Sequence, residues 1–560
     1  MKSFLGKHWE NAESIFDQEA LFAILLQNLN LTSHKDISNF FSPSLTSLHD
    51  PFLMHSMDIA VDHILLSIEK EERIVIFGDF DTDGIASTTI LVDALRQLGA
   101  HVSYRIPERN KDSHGLKKYI LDELAQKNVS LLITCDCGIN DKEAVSHAKK
   151  LGIDIIISDH HEPITESLPT DAVAILNPKL THCTYPEKNL AGAGVAFKLV
   201  SALGERFFDD PINLATFLEK YLEICALGLV ADCVPLTGEN RILAKFGIEK
   251  MKTTQWDGLQ KLFKKLDIVP ESLSAETIGF SIAPRLNAAS RIGDVLRASQ
   301  LFLGEPHKNF ERLTYLDTLN EKRKRLTEQC TQEAFSQIDH SLSFQFLIHK
   351  KWSPGILGLI CSQFVEKLNQ PIIAATLNEN GFISASCRSP ERFCLISALN
   401  TCNPNLFKTF GGHAGAAGFI APQENLETIK NQLETYFSKT KQQEFKTTVA
   451  AFLNTEILND SLTEFLNAIS PFGIGNKNPL FGIKNLEILE THLLGKNKNH
   501  IRVFAIHENN PIELMGFFLG DLSEKLSRGQ KIDALFSVGE NFFRGKRKLQ
   551  FRLVDARASN

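Results

Sequence analysis

The sequence predicts a multidomain α/β protein. A doubly wound parallel sheet comes first, then a long linking helix, a second smaller α/β domain and a C-terminal OB-type β-barrel. Three observations predict it. Short Ile- and Val-rich runs alternate with stretches of helical length across residues 51–240, the pattern of buried parallel strands joined by crossover helices. One highly charged helical pattern runs unbroken from Asn309 to Phe335. Near the end Leu549, Phe551 and Leu553 alternate with Lys548, Gln550 and Arg552, the period of a half-buried strand.

Length and composition set the frame. A chain of 560 residues exceeds one hydrophobic core and divides into domains. It is 43% hydrophobic and 23% charged, as soluble globular proteins are. A net charge of −7 gives no global basic field, so contact with a polyanion must use local basic patches. Ten cysteines show no C-x-x-C spacing, which speaks against zinc and a disulfide framework and suits a reducing compartment. The opening residues show no apolar secretion signal, and no apolar run is long enough to span a bilayer. A cytoplasmic protein with no membrane contact is expected.

Taken in order, residues 1–50 read as a small helical lead-in. Residues 51–240 carry the strand–helix alternation, and 241–340 read as a helical connector ending in the charged helix. Residues 341–450 return to short apolar runs and end in the Gly-rich Phe410–Phe419 stretch. Residues 451–560 read as strands and turns.

The chemistry concentrates in the 51–240 segment. Asp79, Asp81, Asp83 and Gly84 follow Ile74-Val75-Ile76-Phe77. Asp136 follows Leu131–Cys135, and Asp159-His160-His161 follow Ile155-Ile156-Ile157. A second acidic element, Ala231-Asp232-Cys233, follows an apolar helix-like stretch. In a doubly wound sheet the loops after the strands share one edge, so these side chains converge. Carboxylates with one or two imidazoles suit a hard divalent ion such as Mn or Mg. A calcium loop is a poor alternative, because the position that needs Glu holds Ile90. Helix capping by Asp83 and a surface His pair are the bland alternatives for single clusters, but three clusters after three strands speak against them. Gly192-x-Gly194 lacks the Lys-Ser/Thr of a P-loop, so no nucleotide role is assigned.

These residues carry a resemblance. Asp79-Phe80-Asp81-Thr82-Asp83-Gly84, Thr134-Cys135-Asp136, Asp159-His160-His161 and Val230-Ala231-Asp232 resemble the four motifs of the DHH phosphoesterase family. Ala283–Ala289, Trp352-Ser353-Pro354-Gly355, Gly411-Gly412-His413 with Ala416–Gly418, and Pro471–Asn476 resemble its single-strand exonuclease branch in the same order. The chain departs from that pattern at Ser353, Cys137, His114 and Ser290, none of them a metal ligand.

The resemblance implies a DHH catalytic domain over 51–240, a DHHA1-like substrate-binding domain over 341–450 and a nucleic-acid-binding OB fold over 451–560. It implies two divalent metal ions, Mn preferred, held by Asp79, Asp81, Asp83, Asp136, His160 and Asp232. Asp136 would bridge them, with Asp81 and His161 sharing the catalytic work and Asp159 orienting a histidine. The implied reaction is hydrolysis of single-stranded DNA from its 5′ end. A helicase and a single-strand-binding protein are the implied partners, and a monomer the working form. Ser386 and Arg388 resemble the site for a 5′ phosphate. His413 lies in a Gly-rich run that an anion can approach. Arg109, Arg285 and Arg291 are further candidates for the strand's backbone, as are Arg544 and Lys546 in the barrel's basic hairpin beside Phe542 and Phe543. Two rivals remain: a small-substrate phosphodiesterase or pyrophosphatase, and a non-catalytic DNA-binding scaffold.

Overall fold

In the computed structural model, residues 2–10, 12–109, 112, 114–439, 446–543 and 546–559 are described. The lead-in is more than helical. Two short strands, β1 (His8–Trp9) and β2 (Ser14–Ile15), precede the helices Gln18–Asn28 and His34–Phe41.

The first large sheet contains β3 (Arg73–Gly78), β4 (His101–Arg105), β5 (Leu131–Cys135), β6 (Asp154–Ser158) and β7 (Ala174–Leu176). Its order is β4-β3-β5-β6-β7, with every pairing parallel. The unbroken apolar runs are explained by burial on both faces. Ile74 and Ile76 enter the larger core, whereas Val75 and Phe77 enter a second core on the opposite face. Ile156 likewise joins the first core and Ile155 and Ile157 the second. Strands sandwiched in this way need no polar face.

The helix Asn309–Phe335 has 27 residues and joins two cores. Leu313, Leu316 and Leu319 belong to the core of the first domain, whereas Cys330 and Ala334 pack into the next. That second domain holds β8 (Gln345–Ile348), β9 (Ile372–Leu377), β10 (Phe382–Arg388), β11 (Thr409–Gly412) and β12 (Ala416–Pro422) in the order β11-β12-β10-β9-β8. Only β8 and β9 run parallel.

The C-terminal segment starts with β13 (Lys446–Thr447) and β14 (Ala451–Leu453). The strands β15 (Leu480–Leu494), β16 (His500–His507), β17 (Asn510–Gly516), β18 (Lys531–Phe543) and β19 (Lys546–Ala558) close into a five-stranded barrel. Closure depends on β15, which pairs with β18 early and with β16 late, with irregularities at Ile483/Leu486 and Ile488/Glu490. The N-terminal strands join this end of the molecule: β1 pairs with β13 and β2 with β14. Trp9 Nε1 donates to Asp555 Oδ2 at 2.9 Å. Arg241, 3% exposed, ties three regions together. Its guanidinium donates to the carbonyls of Phe40, Ala468 and Ser470 and lies 3.6 Å over the Phe40 ring.

Candidate metal centre and strand cleft

Each acidic cluster stands where a parallel strand ends, so one sheet edge gathers them. Asp79 leaves β3, and its N–H donates to Cys135 O of the neighbouring strand at 3.2 Å. Asp81 caps the helix Thr82–Gln97, accepting from Asp83 N and Gly84 N at 3.0 and 3.1 Å. Asp136 leaves β5 with φ +61°, and its N–H donates to Ser158 O. This non-glycine left-handed backbone turns the carboxylate across the edge. Asp159 and His160 leave β6, and Asp232 ends the helix Pro211–Ala231.

The side chains meet. His160 Nε2 lies 3.0 Å from Asp136 Oδ1, 3.7 Å from Asp232 Oδ2 and 3.8 Å from Asp83 Oδ2. Three overlapping triads place one ligand atom per residue within 4.8 Å of one another: Asp79, Asp81 and Asp136; Asp83, His160 and Asp232; and Asp136, His160 and His161. Asp136 and His160 are each shared by two triads. Asp79 Oδ1, Asp136 Oδ1 and His160 Nε2 are buried and lack a hydrogen-bond partner. Buried polar atoms are otherwise satisfied, so orphaned oxygens and one imidazole nitrogen turned toward one another fit divalent cations. The donor set, mainly carboxylate with imidazole, suits Mn or Mg.

Electrostatics point the same way. Burial, then repulsion from Asp232 and Asp81, pushes Asp83 well above the usual carboxylate range. Burial and the neighbouring acids do the same to Asp136 and raise Asp232 to about 7. Burial takes the His160 imidazole down to about 3, leaving it neutral and able to ligate. His161 behaves oppositely. Burial pulls it down, but Asp159 Oδ1, 2.8 Å from its Nδ1, overrides this and raises the ring to about 9. Asp159 is fixed in turn by the N–H groups of Ile139, His160 and His161. His161 is therefore a half-exposed cation at the mouth of the cluster.

The second domain faces this mouth. The His413 ring lies parallel to that of His161, 6.5 Å away with planes 17° apart. The Gly-rich run around it is a tight hairpin between β11 and β12, in which His413 N donates to Ala416 O. A Cβ on Gly412, at φ +139°, would stand 2.4 Å from Ala416 O. Arg388 leans over Gly358, with Nη1 3.4 Å from Ser386 Oγ. Arg291 donates to Gly355 O, and its titration is depressed to about 10 by burial and then by the charges of Arg109, Arg323 and Arg388. Four guanidinium groups thus share one part of the cleft. Arg109 stacks 4.0 Å over Phe80 beside Asp79 and Asp81.

Arg285 differs from the others: it is bound to Asp317 at 2.7 Å and to Ser281 O, a bracing role that the sequence does not signal. Arg544 lies outside the described residues, as do the side chains of Phe542, Phe543 and Lys546.

Several residues enter that sequence reasoning missed. Gly192 N and Ala193 N, opening the helix Gly192–Phe207, donate to Asp83 at 2.7 and 2.9 Å. The Gly-x-Gly stretch thus cradles a carboxylate with its helix N-terminus. Asn287 accepts from Thr82 N and Oγ1, fixing the first acidic loop to the connector. Arg323 is half-buried and burial lowers its titration, whereas Lys322, Lys324 and Arg325 beside it are exposed. Lys179 lies near His160, Asp232 and His413, with no pattern in the sequence to mark it. Cys135 and Cys137, by contrast, are the strand-end packing residues that their sequence position suggests, and burial pushes their thiols up, Cys135 to about 12.

Comparisons with known proteins agree with this geometry. Family models match residues 73–229 (DHH family, N-terminal domain), 339–439 (DHHA1 domain) and 449–555 (RecJ OB domain). The chain is 33% identical over 548 residues to the single-stranded-DNA-specific exonuclease RecJ of Bacillus subtilis, covering 96% of this chain and 68% of that protein. It is 31% identical over 560 residues to the Haemophilus influenzae exonuclease of the same name, covering 95% of each. The crystal structure of RecJ in complex with Mn2+ from Thermus thermophilus superposes with a TM-score of 0.80 at 25% identity, over 99% of this chain and 80% of that one.

Proposed function

The chain belongs to the RecJ family of single-stranded-DNA-specific exonucleases, a family of metal-dependent nucleases, and on that premise we propose that it degrades single-stranded DNA from the 5′ end by two-metal phosphodiester hydrolysis. The observation that carries the reading is the set of orphaned atoms Asp79 Oδ1, Asp136 Oδ1 and His160 Nε2 within a ring of four further carboxylates and histidines. Asp79, Asp81, Asp83, Asp136, His160 and Asp232 would hold the ions, with Asp136, shared between triads, as the bridge. Bound divalent ions would supply Lewis acidity and an activated water.

The chain's own groups do the rest. Asp159 keeps His161 protonated, so its free edge can donate to a phosphate oxygen as negative charge develops. Arg109, Arg291, Arg323 and Arg388 concentrate cationic donors where a terminal phosphate would sit, with Ser386 beside them. The barrel extends the track for the strand. A small-ester phosphodiesterase has no use for that track. A scaffold has no use for a complete ligand ring. Among the described residues no helix is long and apolar enough to cross a membrane. The reading extends to a cytoplasmic monomer that acts in DNA repair and recombination after a helicase and beside a single-strand-binding protein.

The test is digestion of a single-stranded oligonucleotide with Mn, labelled separately at each end, beside duplex DNA and RNA. Stepwise loss from the 5′ end of the single strand alone is expected. Turnover restricted to dinucleotides or pyrophosphate would support the small-substrate rival, and binding without cleavage the scaffold.

A further inference from the structure

One face of the barrel carries a groove of about 390 Å³ over β16, β17 and β19, lined by Leu489, Phe504, Met515, Phe551, Lys548 and Glu513. Leu489 is 40% exposed at the edge of this groove. The rim is basic, but its cations are already engaged. Glu513 sits between two of them: its Oε1 lies 3.4 Å from Arg502 Nε and its Oε2 3.3 Å from Lys548 Nζ. The Arg502 contact is a charge contact only, since Nε is buried and makes no hydrogen bond. A third cation on β19, Arg552, pairs with Glu276 of the connector.

Phe504 and Glu513 are cross-strand partners, and Met515 faces Arg502 and Arg552 in the neighbouring strands. Phe551, paired with the buried Leu514, packs against the barrel's core, whereas Phe504 and Met515 share one surface with the charged rim. Its chemistry is that of an unpaired nucleotide: a flat floor for the base and two cations for the backbone. The carboxylate between those cations has no such use, because it occupies the place that phosphate oxygens would take.

We propose that Glu513 is an acidic latch on this face, holding Arg502 and Lys548 in the free protein and yielding them to the backbone of a bound strand. The proposal rests on the reading of the barrel as a single-strand track. The latch weakens the barrel's grip, so that a strand drawn toward the cleft is released from the groove one nucleotide at a time rather than held. Arg502 Nε, like several other guanidinium nitrogens among the described residues, makes no hydrogen bond, so a phosphate oxygen can take this donor once Glu513 moves aside.

The experiment measures affinity and dissociation rate for oligothymidylates of increasing length, without divalent metal so that no hydrolysis competes. Glu513→Gln keeps the shape and removes the charge. The latch predicts about five-fold tighter binding and slower release, confined to lengths that reach the barrel. Arg502→Gln with Lys548→Gln should weaken those same lengths and abolish the effect of Glu513→Gln in the triple variant. If the double variant weakens long oligonucleotides while Glu513→Gln binds no tighter than the wild type, the latch is wrong and the track stands. If the double variant binds every length like the wild type, the track itself fails and the latch with it.

Discussion

Gly192 is an exacting position in the centre, although it is not a ligand. A Cβ placed there would lie 2.6 Å from Asp136 Cβ, 2.9 Å from its Cγ and 2.9 Å from its Oδ1. Ordinary contact begins about 0.8 Å farther out, so Gly192→Ala must push the Asp136 side chain or the helix start by about 1 Å. Either movement disturbs both halves of the ring. Asp136 is shared by two triads, and the helix start supplies the two N–H groups that fix Asp83. A displacement of this size at a reacting centre costs on the order of 100-fold in rate. The overpacking itself costs about 1–3 kcal/mol of stability. Mn-dependent hydrolysis of single-stranded DNA, calorimetric titration with Mn and thermal unfolding of the chelated protein separate the effects. The expected result is a folded protein with kcat down about 100-fold and weaker Mn binding. Wild-type kcat and Mn affinity in a folded Gly192→Ala protein would refute the geometry on which the ligand ring is built.

Three further predictions follow from the same structure. The chelated protein should lose stability as pH rises: Asp83, Asp136 and Asp232 titrate above their unfolded value of about 3.9, Asp232 at about 7, so the folded state holds extra protons that it gives up across that window. Melting curves from about pH 4 to about pH 8, with and without Mn, should diverge as pH increases; a gap that is constant with pH would remove the charge-repulsion account. Arg388→Ala should reduce the preference for a 5′-phosphorylated over a 5′-hydroxyl end by about 10-fold or more, from loss of a charge-assisted contact, as read by competition between the two ends; an unchanged ratio would exclude Arg388 from the end-binding site. Arg241→Ala removes three charge-assisted bonds to carbonyls in two distant segments, and should lower stability by about 2–4 kcal/mol in denaturant melts, with a loss under about 1 kcal/mol speaking against the clamp.

The ends of β3, β5 and β6 were legible because burial on both faces leaves no choice but apolar residues, and the residue that follows each strand must then be where chemistry resumes. The charged helix Asn309–Phe335 was legible for its length, but its pattern hid which charges turn inward. Arg323 sits in a run of four basic residues, yet it alone of the four is half-buried while its neighbours are exposed. Arg285 reads like Arg291 in sequence, yet Asp317, thirty-two residues away, pairs with its guanidinium. Gly192 and Ala193 were opaque for another reason. A glycine that makes room for a carboxylate looks the same in sequence as one that makes room for a phosphate. The lead-in's strands could not be read at all, because two-residue strands carry no period and their partners lie more than 400 residues away.

That last pairing has a consequence for how the molecule is assembled. Residues 8–15 leave the ribosome hundreds of residues ahead of β13, β14 and Asp555. The intervening domains can complete their own cores while this segment waits with its Trp9 and Ile15 uncovered. Closure of the far barrel and docking of the first strands then become a single late event, with the sequence separation that makes folding slow and exposed intermediates prone to stick. A stretch of polypeptide made early is among the last to find its place.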